Sequence, residues 1–431
     1  MGRAFSTTLH QQYDLVYDPV ILSYVRHIGN KITSETGQNR SFSFYIINNS
    51  EINAFAGPNG VIGIHTGLIE ACQTEDELAS VIAHEVAHVT QRHLSRTFEY
   101  QNNTASVSSI ASLIAAILVG SQDINAGIAT YMGGMGLNIE QQLKNSRIHE
   151  SEADYFGIKY LEKAGYNPNA MADFFGRLSK EAQQYEFKVP EILQTHPVTE
   201  NRLAKARARA YQLSDGNMGY HSKSLRLIQL RLRALMGDNK SYREQPLTDY
   251  EKCYLNNFKQ LNRPSAHPNF DLACLDKAIK ARPTDKLLRI ERANINSQLA
   301  ADKSLEEFTY LEAIYPSDFS IPYLHAKALA RNNQREKAIE LLKSATPKYH
   351  YQYLLYSELA RLYSETNATK FVYYYDALAN YNIGNIDKTL HLVHQAKKLE
   401  KNQKSVFYTK LQQLEDQITP DKKKPKDKEN K

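Results

Sequence analysis

The chain has 431 residues, of which 42% are apolar and 23% charged, a globular balance in a length typical of two or three domains. The net charge is only +6, and no basic stripe with interleaved aromatic residues occurs, so nucleic acid is excluded as an expected partner. No run of about 20 apolar residues occurs, so the sequence predicts no transmembrane helix.

The first predicted elements are one helix and three short strands. Asp18 and Pro19 fit an N-cap followed by proline at the first helical position, and apolar residues then recur at helical spacing. Three β-rich stretches follow at residues 41–47, 51–56 and 61–65, with a Gly-Pro-Asn-Gly turn before the last one. The sequence therefore predicts a small sheet among helices.

Two further helices are predicted, from about residue 75 to near 97 and from about 147 to 164. Thr74 and Glu77 form a capping box before the first helix, and Gly165 suits the C-terminal cap of the second.

Residues 105–119, between these helices, are strongly apolar but too few to span a membrane. One interpretation is a buried core helix. The other is a mobile segment that gates substrate or makes peripheral membrane contact.

Beyond about residue 214 the pattern changes to a series of amphipathic helices. Pro283, Pro316 and Pro347 recur at spacings near 33 residues, and each is expected to end a helical stretch. A period near 34 residues with a terminal proline is typical of tetratricopeptide repeats. The sequence therefore favours a helical solenoid over unrelated helices.

The chain contains three cysteines, Cys72, Cys253 and Cys274, and no C-x-x-C pair, so a cysteine zinc site is not supported. Cys253 and Cys274 could form a disulfide in an oxidising compartment. Two buried free thiols are an equally good interpretation.

The motif His84-Glu85-Val86-Ala87-His88 falls on the capped helix. Residues four apart share one helical face, so the two imidazoles can converge on a single ion. Zinc accepts imidazole nitrogen and carboxylate oxygen in tetrahedral geometry. Glu85 is then expected beside the metal as the general base. The alternative is a pair of ordinary surface or core histidines.

A catalytic zinc takes three protein ligands plus water, so a third ligand is needed. Glu150 is the best candidate, and Asp154, one helical turn later, could hold a histidine ligand through its free ring N–H. His149 is a rival ligand by chemistry alone, and Glu152 could be an ordinary solvated carboxylate. On periodicity alone, this cluster is simply a charged helical face.

These motifs together resemble those of the gluzincin metallopeptidases, which include CAAX prenyl proteases, HtpX-type proteases and periplasmic β-barrel assembly-enhancing proteases. With its repeat-containing half, the chain resembles the last type most, over nearly its whole length. The matching pieces occur in the family order: Asn53-Ala54-Phe55-Ala56, His84-Glu85-x-x-His88 with Arg92-His93, Glu150-x-x-Ala153-Asp154, and Thr195-His196-Pro197 with Arg202.

The resemblance implies roles for individual residues. Glu150 is the expected third zinc ligand, with Asp154 behind the ligands. The stretch Asn53, Ala54, Phe55 and Ala56 is the expected edge strand that pairs with extended substrate.

In the assembly-enhancing type, the histidine of the His-Pro motif can occupy the fourth zinc position and hold the enzyme latent. His196 matches it, and an ordinary turn with His196 free of metal is the alternative. Arg202 is expected either to stabilise the oxyanion or to hold the motif in place.

The resulting prediction is an α+β chain: a mostly helical zincin-type metallopeptidase domain with a small sheet, followed by an all-α tetratricopeptide solenoid. The predicted boundaries are 1–214, 215–415 and a disordered lysine-rich tail, 416–431. The resemblance implies a periplasmic protein, although residues 1–9 lack the apolar segment of a signal peptide.

The expected activity is zinc-dependent hydrolysis of internal peptide bonds. Misassembled outer-membrane proteins are the implied substrates, and the β-barrel assembly machinery is the implied partner of the repeats. The alternative function is a tetratricopeptide chaperone or scaffold with little or no proteolysis.

Overall fold

A computed structural model describes residues 2–99, 139–184, 189–213, 224–237, 246–262, 268–349 and 353–419. The chain divides into two compact units, Met1–Glu291 and Arg292–Lys431. Within the described ranges, no helix is both long and apolar enough to cross a membrane. The apolar stretch 105–119 and residues 420–431 of the predicted tail lie outside these ranges, so both predictions stay open.

The first unit contains a three-stranded sheet and most of the described helices. Its strands are β1 (Ser43–Ile47), β2 (Ala54–Ala56) and β3 (Val61–His65). Its helices are α1 (Gly2–Gln12), α2 (Pro19–Ser34), α3 (Thr66–Ala71), α4 (Glu75–Thr90), α5 (His93–Glu99), α6 (Ile139–Lys163), α7 (Ala170–Gln184), α8 (Glu191–Thr195), α9 (Glu200–Leu213), α10 (Ser224–Met236), α11 (Asp249–Asn262) and α12 (Leu272–Ala281). The division between the units falls within α13 (Lys286–Leu299).

The small sheet has the order β1-β3-β2, with β1 parallel and β2 antiparallel to β3. The second strand is shorter than the predicted stretch 51–56, whereas the first and third strands agree closely with the predicted stretches 41–47 and 61–65. The intervening turn is tight, since Asn59 and Gly60 both take positive φ values, 59° and 77°. In the order β1-β3-β2, β2 lies at an edge of the described sheet.

The start of α2 is built as the sequence predicts. Asp18 Oδ1 accepts hydrogen bonds from the backbone N–H groups of Val20 and Ile21, and Pro19 opens the helix. The same carboxylate accepts two hydrogen bonds from Arg231, at 2.8 and 2.9 Å, so α10 is tied to this helix start.

The prediction of one helix from residue 75 to 97 is wrong. α4 begins at the predicted cap, where Thr74 Oγ1 accepts from the Glu77 N–H at 3.2 Å, but it ends at Thr90. Arg92 then takes a left-handed backbone conformation, with φ of 57°, and α5 begins at the next residue. The periodicity missed this break because arginine carries no preference for that conformation.

The two site helices, α4 and α6, pack directly against each other. Gly157 of α6 lies so close to α4 that a Cβ atom there would be 3.2 Å from the Ala83 oxygen and the His84 nitrogen. α6 begins before the predicted residue 147 and ends at Lys163. Gly165 caps it as predicted, with φ of 74°, and the Tyr166 N–H donates back to Leu161.

The second unit is helical throughout its described part, and each of its helices from α14 onward packs against the next. The helices are α14 (Ala301–Ile314), α15 (Ser320–Arg331), α16 (Arg335–Ala345), α17 (Tyr353–Glu365), α18 (Thr369–Asn382), α19 (Ile386–Leu399) and α20 (Val406–Ile418). Pro283, Pro316 and Pro347 each follow a helix end, as predicted. The assignment as tetratricopeptide repeats and the boundary at 214/215 stay predictions, and residues 416–418 of the predicted tail are helical.

Cys253 of α11 and Cys274 of α12 form a disulfide, with Cα atoms 6.0 Å apart, which decides between the two interpretations of these cysteines. Cys72 is a buried free thiol.

We expect opposite effects of alanine at two glycines. Gly165→Ala should lower the free energy of unfolding by about 1–2 kcal/mol, because an L-residue is strained at positive φ while nothing but Lys31 Nζ lies within 4 Å. Gly176→Ala, inside α7 with only ordinary contacts around it, should raise the free energy of unfolding by about 0.5–1 kcal/mol. Urea unfolding of both variants checks this, and a stabilising Gly165→Ala would contradict the assigned cap.

Candidate metal centre

The two histidines of the H-E-x-x-H motif face each other one turn apart on α4. His84 Nε2 and His88 Nε2 lie 3.1 Å apart. Two nitrogens bound to one tetrahedral zinc lie about 3.3 Å apart, since each Zn–N bond is about 2.0–2.1 Å long. The spacing of the two imidazoles therefore suits a shared ion.

Glu150 reaches the same point from α6. Its Oε2 lies 3.4 Å from His84 Nε2 and its Oε1 lies 3.5 Å from His88 Nε2. Only 5% of the Glu150 surface is exposed, so this residue is almost fully removed from water. The geometric condition for a three-ligand site, two imidazoles and one carboxylate around one point, is met.

His196 completes the group. Its Nδ1 lies 3.3 Å from His84 Nε2 and 3.0 Å from Glu150 Oε1. One ligand atom from each of these side chains, with one from His88, lies within 4.8 Å of all the others. Three imidazoles and a carboxylate form a donor set that zinc accepts, so the residues fit the metal that the motif predicts.

Glu85 is buried beside this group without being part of it. Within the described residues, neither of its carboxylate oxygens makes a hydrogen bond, and Oε1 lies 3.6 Å from His196 Nε2. Burial raises the pKa of the Glu85 carboxyl, although the neighbouring imidazoles of His196 and His84 oppose that shift. A buried carboxylate of raised pKa is suited to accepting a proton.

Glu150 keeps its charge despite its burial. Burial alone would raise the pKa of its carboxyl, but the imidazoles of His196, His84 and His88 outweigh that effect and hold the pKa well below its usual value. The Glu150 carboxyl is therefore in the anionic form, which is able to bind a cation.

Asp154 and Arg202 form a buried pair behind the ligands. Asp154 Oδ1 lies 3.2 Å from His84 Nδ1, and Arg202 donates two hydrogen bonds of 2.8 Å to the same carboxylate. Arg202 also donates to the Pro197 carbonyl at 2.7 Å and lies 3.1 Å from Glu150 Oε2. Burial would raise the pKa of Asp154, but His84 and Arg202 lower it overall.

Sequence reasoning gave no role to His93 and Glu152, although His93 was part of the matching motif. His93 Nδ1 lies 2.9 Å from His88 Nδ1, and His93 Nε2 lies 3.0 Å from Glu152 Oε2. Glu152, expected as an ordinary solvated carboxylate, also accepts a hydrogen bond from Arg96. His149, the rival ligand, lies outside the group of four, and its ring stacks on that of His93 with the ring centroids 4.4 Å apart.

The predicted edge strand lies against α4. The Asn53 carbonyl accepts from the His65 N–H and the Gly57 N–H donates to the Val61 carbonyl. Because pairing groups alternate along an antiparallel strand, the backbone groups of Ala54 and Ala56 point to the outer edge. The Ala56 backbone lies close enough to Glu85 to favour its carboxylate form.

Phe55 points away from that edge into the first unit. Its ring meets Phe5 and His65 edge-on, with ring centroids 6.2 and 6.4 Å apart, and it covers Gly63. His65 is fully buried, and burial lowers the pKa of its imidazole to about 4. The Phe55 side chain of the strand therefore packs against a neutral imidazole.

Comparison with known proteins agrees with this geometry. Residues 23–210 match the model of peptidase family M48. A Vibrio cholerae protein named as a beta-barrel assembly-enhancing protease is 39% identical over 232 residues, 53% of this chain and 48% of that protein. The Escherichia coli (strain K12) beta-barrel assembly-enhancing protease is 37% identical over 214 residues, 49% of this chain and 44% of the relative.

A more distant relative is the mitochondrial metalloendopeptidase OMA1 of Schizosaccharomyces pombe, 31% identical over 190 residues, 44% of this chain and 52% of the relative. The chain thus spans about half the length of the curated relatives it matches. The comparisons confirm the resemblance to assembly-enhancing proteases, over about half the chain instead of nearly all of it. The predicted class, a metalloendopeptidase, agrees with the family match.

We expect His65 to make the fold acid-sensitive. Its folded pKa of about 4 is below the ordinary value, so the unfolded state binds the proton first. This contribution to stability is complete above about pH 6.5 and is lost as the pH falls to 4, by about 2–3 kcal/mol. His65→Gln should reduce the fall in the free energy of unfolding between pH 7 and 4.5, measured by urea unfolding. An identical pH slope in the variant would rule this out.

Proposed function

We propose that this chain is a zinc-dependent endopeptidase that hydrolyses internal peptide bonds of proteins. The observation that carries the proposal is the convergence of His84, His88 and Glu150 on one point, with Glu85 buried beside it. The family match to residues 23–210 supports a metal-dependent peptidase independently of this geometry. Zinc is proposed over other divalent ions because the donors are mainly imidazole nitrogens.

The proposed chemistry divides between the metal and Glu85. When bound, zinc supplies Lewis acidity, which polarises the scissile carbonyl and makes water a stronger acid. Glu85 takes the proton from the attacking water and passes it to the leaving amine nitrogen. Its burial and raised pKa suit both steps, since the carboxyl group must accept and then release the same proton.

Arg202 is proposed to act by positioning rather than by touching the substrate. Its N–H groups contact Asp154, Glu150 and the Pro197 carbonyl, which supports a role in holding the ligands and the His-Pro turn. The other expectation for Arg202, stabilisation of the oxyanion, has less support, because the guanidinium is buried and already contacts these three protein groups.

His196 is proposed to hold the enzyme latent. Its Nδ1 lies close to His84 Nε2 and Glu150 Oε1, and its Nε2 lies near Glu85. A fourth protein ligand bound to the metal would take the place of the attacking water. A short helix carries it: the Ile192 N–H donates to the Ile52 carbonyl, and Arg202 holds the following proline carbonyl. Release of this segment would open both the fourth ligand position and the general base.

Substrate is proposed to bind as an added strand along β2. The outward backbone groups of Ala56, which is partly exposed, offer hydrogen bonds to an extended peptide, whereas Ala54 is buried and its N–H donates to Asn53 Oδ1 at 2.9 Å. The Phe55 ring packs against Phe5 and His65. An extended strand on this edge would run past Glu85 and the proposed zinc. This arrangement suits unfolded or misassembled β-rich proteins.

The proposed substrates are misassembled outer-membrane β-barrel proteins in the periplasm. The names of the assembly-enhancing relatives support this choice. The Cys253–Cys274 disulfide supports an oxidising compartment, because disulfides are rare where thiols are kept reduced. The helices of the second unit are proposed to be tetratricopeptide repeats that bind the β-barrel assembly machinery.

A chaperone or scaffold with little proteolysis is the second candidate. The second unit favours it, since its described elements are all helices, and stacked helices offer surface for partner proteins without any catalysis. Bound zinc without any casein hydrolysis, in the wild type and in a variant freed of His196, would favour this candidate.

Glu85→Gln should abolish nearly all proteolysis while zinc content stays at one ion per chain. The amide cannot accept the water proton, but it leaves the three metal ligands intact. Casein digestion and metal analysis of wild type and variant check this. Full activity in the variant would end the proposed mechanism.

His196→Ala should raise the rate of casein digestion, because the fourth ligand position is then available to water. Zinc affinity should fall, since one imidazole is lost from the donor set. Glu85→Gln combined with His196→Ala is the matched control and should be inactive. If His196→Ala alone digests casein no faster than the wild type, the proposed latent resting state is contradicted.

A further inference from the structure

One chain of polar contacts leads away from the metal centre and has no part in the chemistry described so far. It starts at His88 Nδ1, passes through both nitrogens of His93, and ends at the Glu152 carboxylate beside Arg96. His93 is only 4% exposed, so this imidazole is held between α4 and α6 away from water.

The direction of each proton in this chain follows from one condition. If His88 Nε2 presents its lone pair to a metal, the only proton of that neutral imidazole lies on Nδ1. That N–H can donate only to the unprotonated Nδ1 of His93, 2.9 Å away. His93 then carries its own proton on Nε2, which donates to Glu152 at 3.0 Å.

Glu152 fixes this order from its far end. Its carboxylate accepts from Arg96 as well as from His93, and it cannot donate while it is ionised. Because the Glu152 carboxylate already accepts from Arg96, it is placed to accept the His93 Nε2–H as well, which leaves the His93 Nδ1 lone pair directed at His88.

The two ligands of the helical motif are therefore supported differently. His84 has a carboxylate, Asp154, directly at its Nδ1, whereas His88 has an imidazole there and a carboxylate one step further out. Contacts of this kind orient a ligand histidine and raise its basicity toward the metal.

The backbone break after α4 makes the contact possible. On a continuous helix His93, five residues after His88, would point about 140° away from it, because each residue turns about 100°. The left-handed conformation of Arg92 turns the chain instead and starts α5 at His93 itself. The short helix is thus built so that its first side chain returns to the metal ligand.

We propose that His93 is a positioning residue for zinc binding, which fixes the tautomer and orientation of His88 by accepting its Nδ1–H. The proposal rests on the proposed zinc site, but its test does not require proteolysis. The rival role is structural: His93 would only join α5 to α6 through Glu152.

Two substitutions separate these roles, because each preserves one end of the imidazole. His93→Asn keeps an acceptor oxygen where Nδ1 lies but loses the bond to Glu152. His93→Gln keeps a donor N–H near Glu152, where Nε2 lies, but loses the acceptor for His88. Zinc affinity of the full chain is measured by competition with a chromogenic chelator, together with urea unfolding of the metal-free protein.

His93→Gln should weaken zinc binding by about 10–100-fold, the usual effect of removing a contact behind a ligand histidine. His93→Asn should bind zinc more tightly than His93→Gln, even though it has lost the link to Glu152. Visible absorption of the cobalt-substituted proteins should show altered coordination in His93→Gln but not in His93→Asn.

His149→Phe is the matched control, since it keeps a ring stacked on His93 and touches no ligand nitrogen; its zinc affinity should equal that of the wild type. If either His93 variant fails to fold, Glu152→Gln replaces it and should weaken zinc binding relative to the wild type, by less than the loss of about 10–100-fold expected for His93→Gln; wild-type affinity in Glu152→Gln would then overturn the proposal. Wild-type affinity in His93→Gln, or a larger loss in His93→Asn, would overturn the proposal. Absence of zinc from the wild type would instead refute the proposed function.

Discussion

The close packing of α6 against α4 is the constraint on which the rest of this protein depends. It brings Glu150 to two histidines that lie more than sixty residues earlier in the chain. Gly157 permits the approach, because a Cβ atom there would lie 3.2 Å from the His84 backbone nitrogen and 2.9 Å from Met171 Cε, both tight contacts. Any change that separates the two helices removes Glu150 from the histidines and, with it, the proposed hydrolytic centre.

Burying so many ionisable groups in one place is costly unless their charges are paired. The centre meets this requirement with one arginine and several imidazoles around two ionised carboxylates, Glu150 and Asp154. Glu85 is the exception, since its oxygens make no hydrogen bond within the described residues. The imidazoles of His196 and His84 offset only part of the effect of its burial, so the pKa of this carboxyl stays raised, which is consistent with the proposed catalytic task.

The local structure around the centre also shows what holds His196 in place. His196 directly follows the short helix α8, whose start is fixed to the Ile52 backbone, and the next residue, Pro197, is held through its carbonyl by Arg202. The same arginine holds Asp154, which in turn contacts His84. Arg202 therefore contacts both the His-Pro turn and Asp154, the carboxylate next to His84. Displacing the His-Pro turn would thus also alter the contacts of His84.

The sequence alone determined the local features of this protein. The helix caps at Asp18, Thr74 and Gly165 and the three strands followed from short-range patterns, since caps and alternation depend on neighbouring residues. The pairing of the two histidines of α4 followed from helical geometry. Glu150, Asp154 and His196 were assigned by resemblance, because spacing along the chain carries no information about which distant side chains meet.

Only the tertiary structure decided the rest. It decided between a disulfide and free thiols for Cys253 and Cys274, gave His93 and Glu152 a place behind the ligands, and left His149 outside. It also broke the predicted long helix at Arg92, a residue without any local signal for a left-handed backbone. These features arise from contacts between elements that are remote in sequence, and such contacts exist only once the helices have packed.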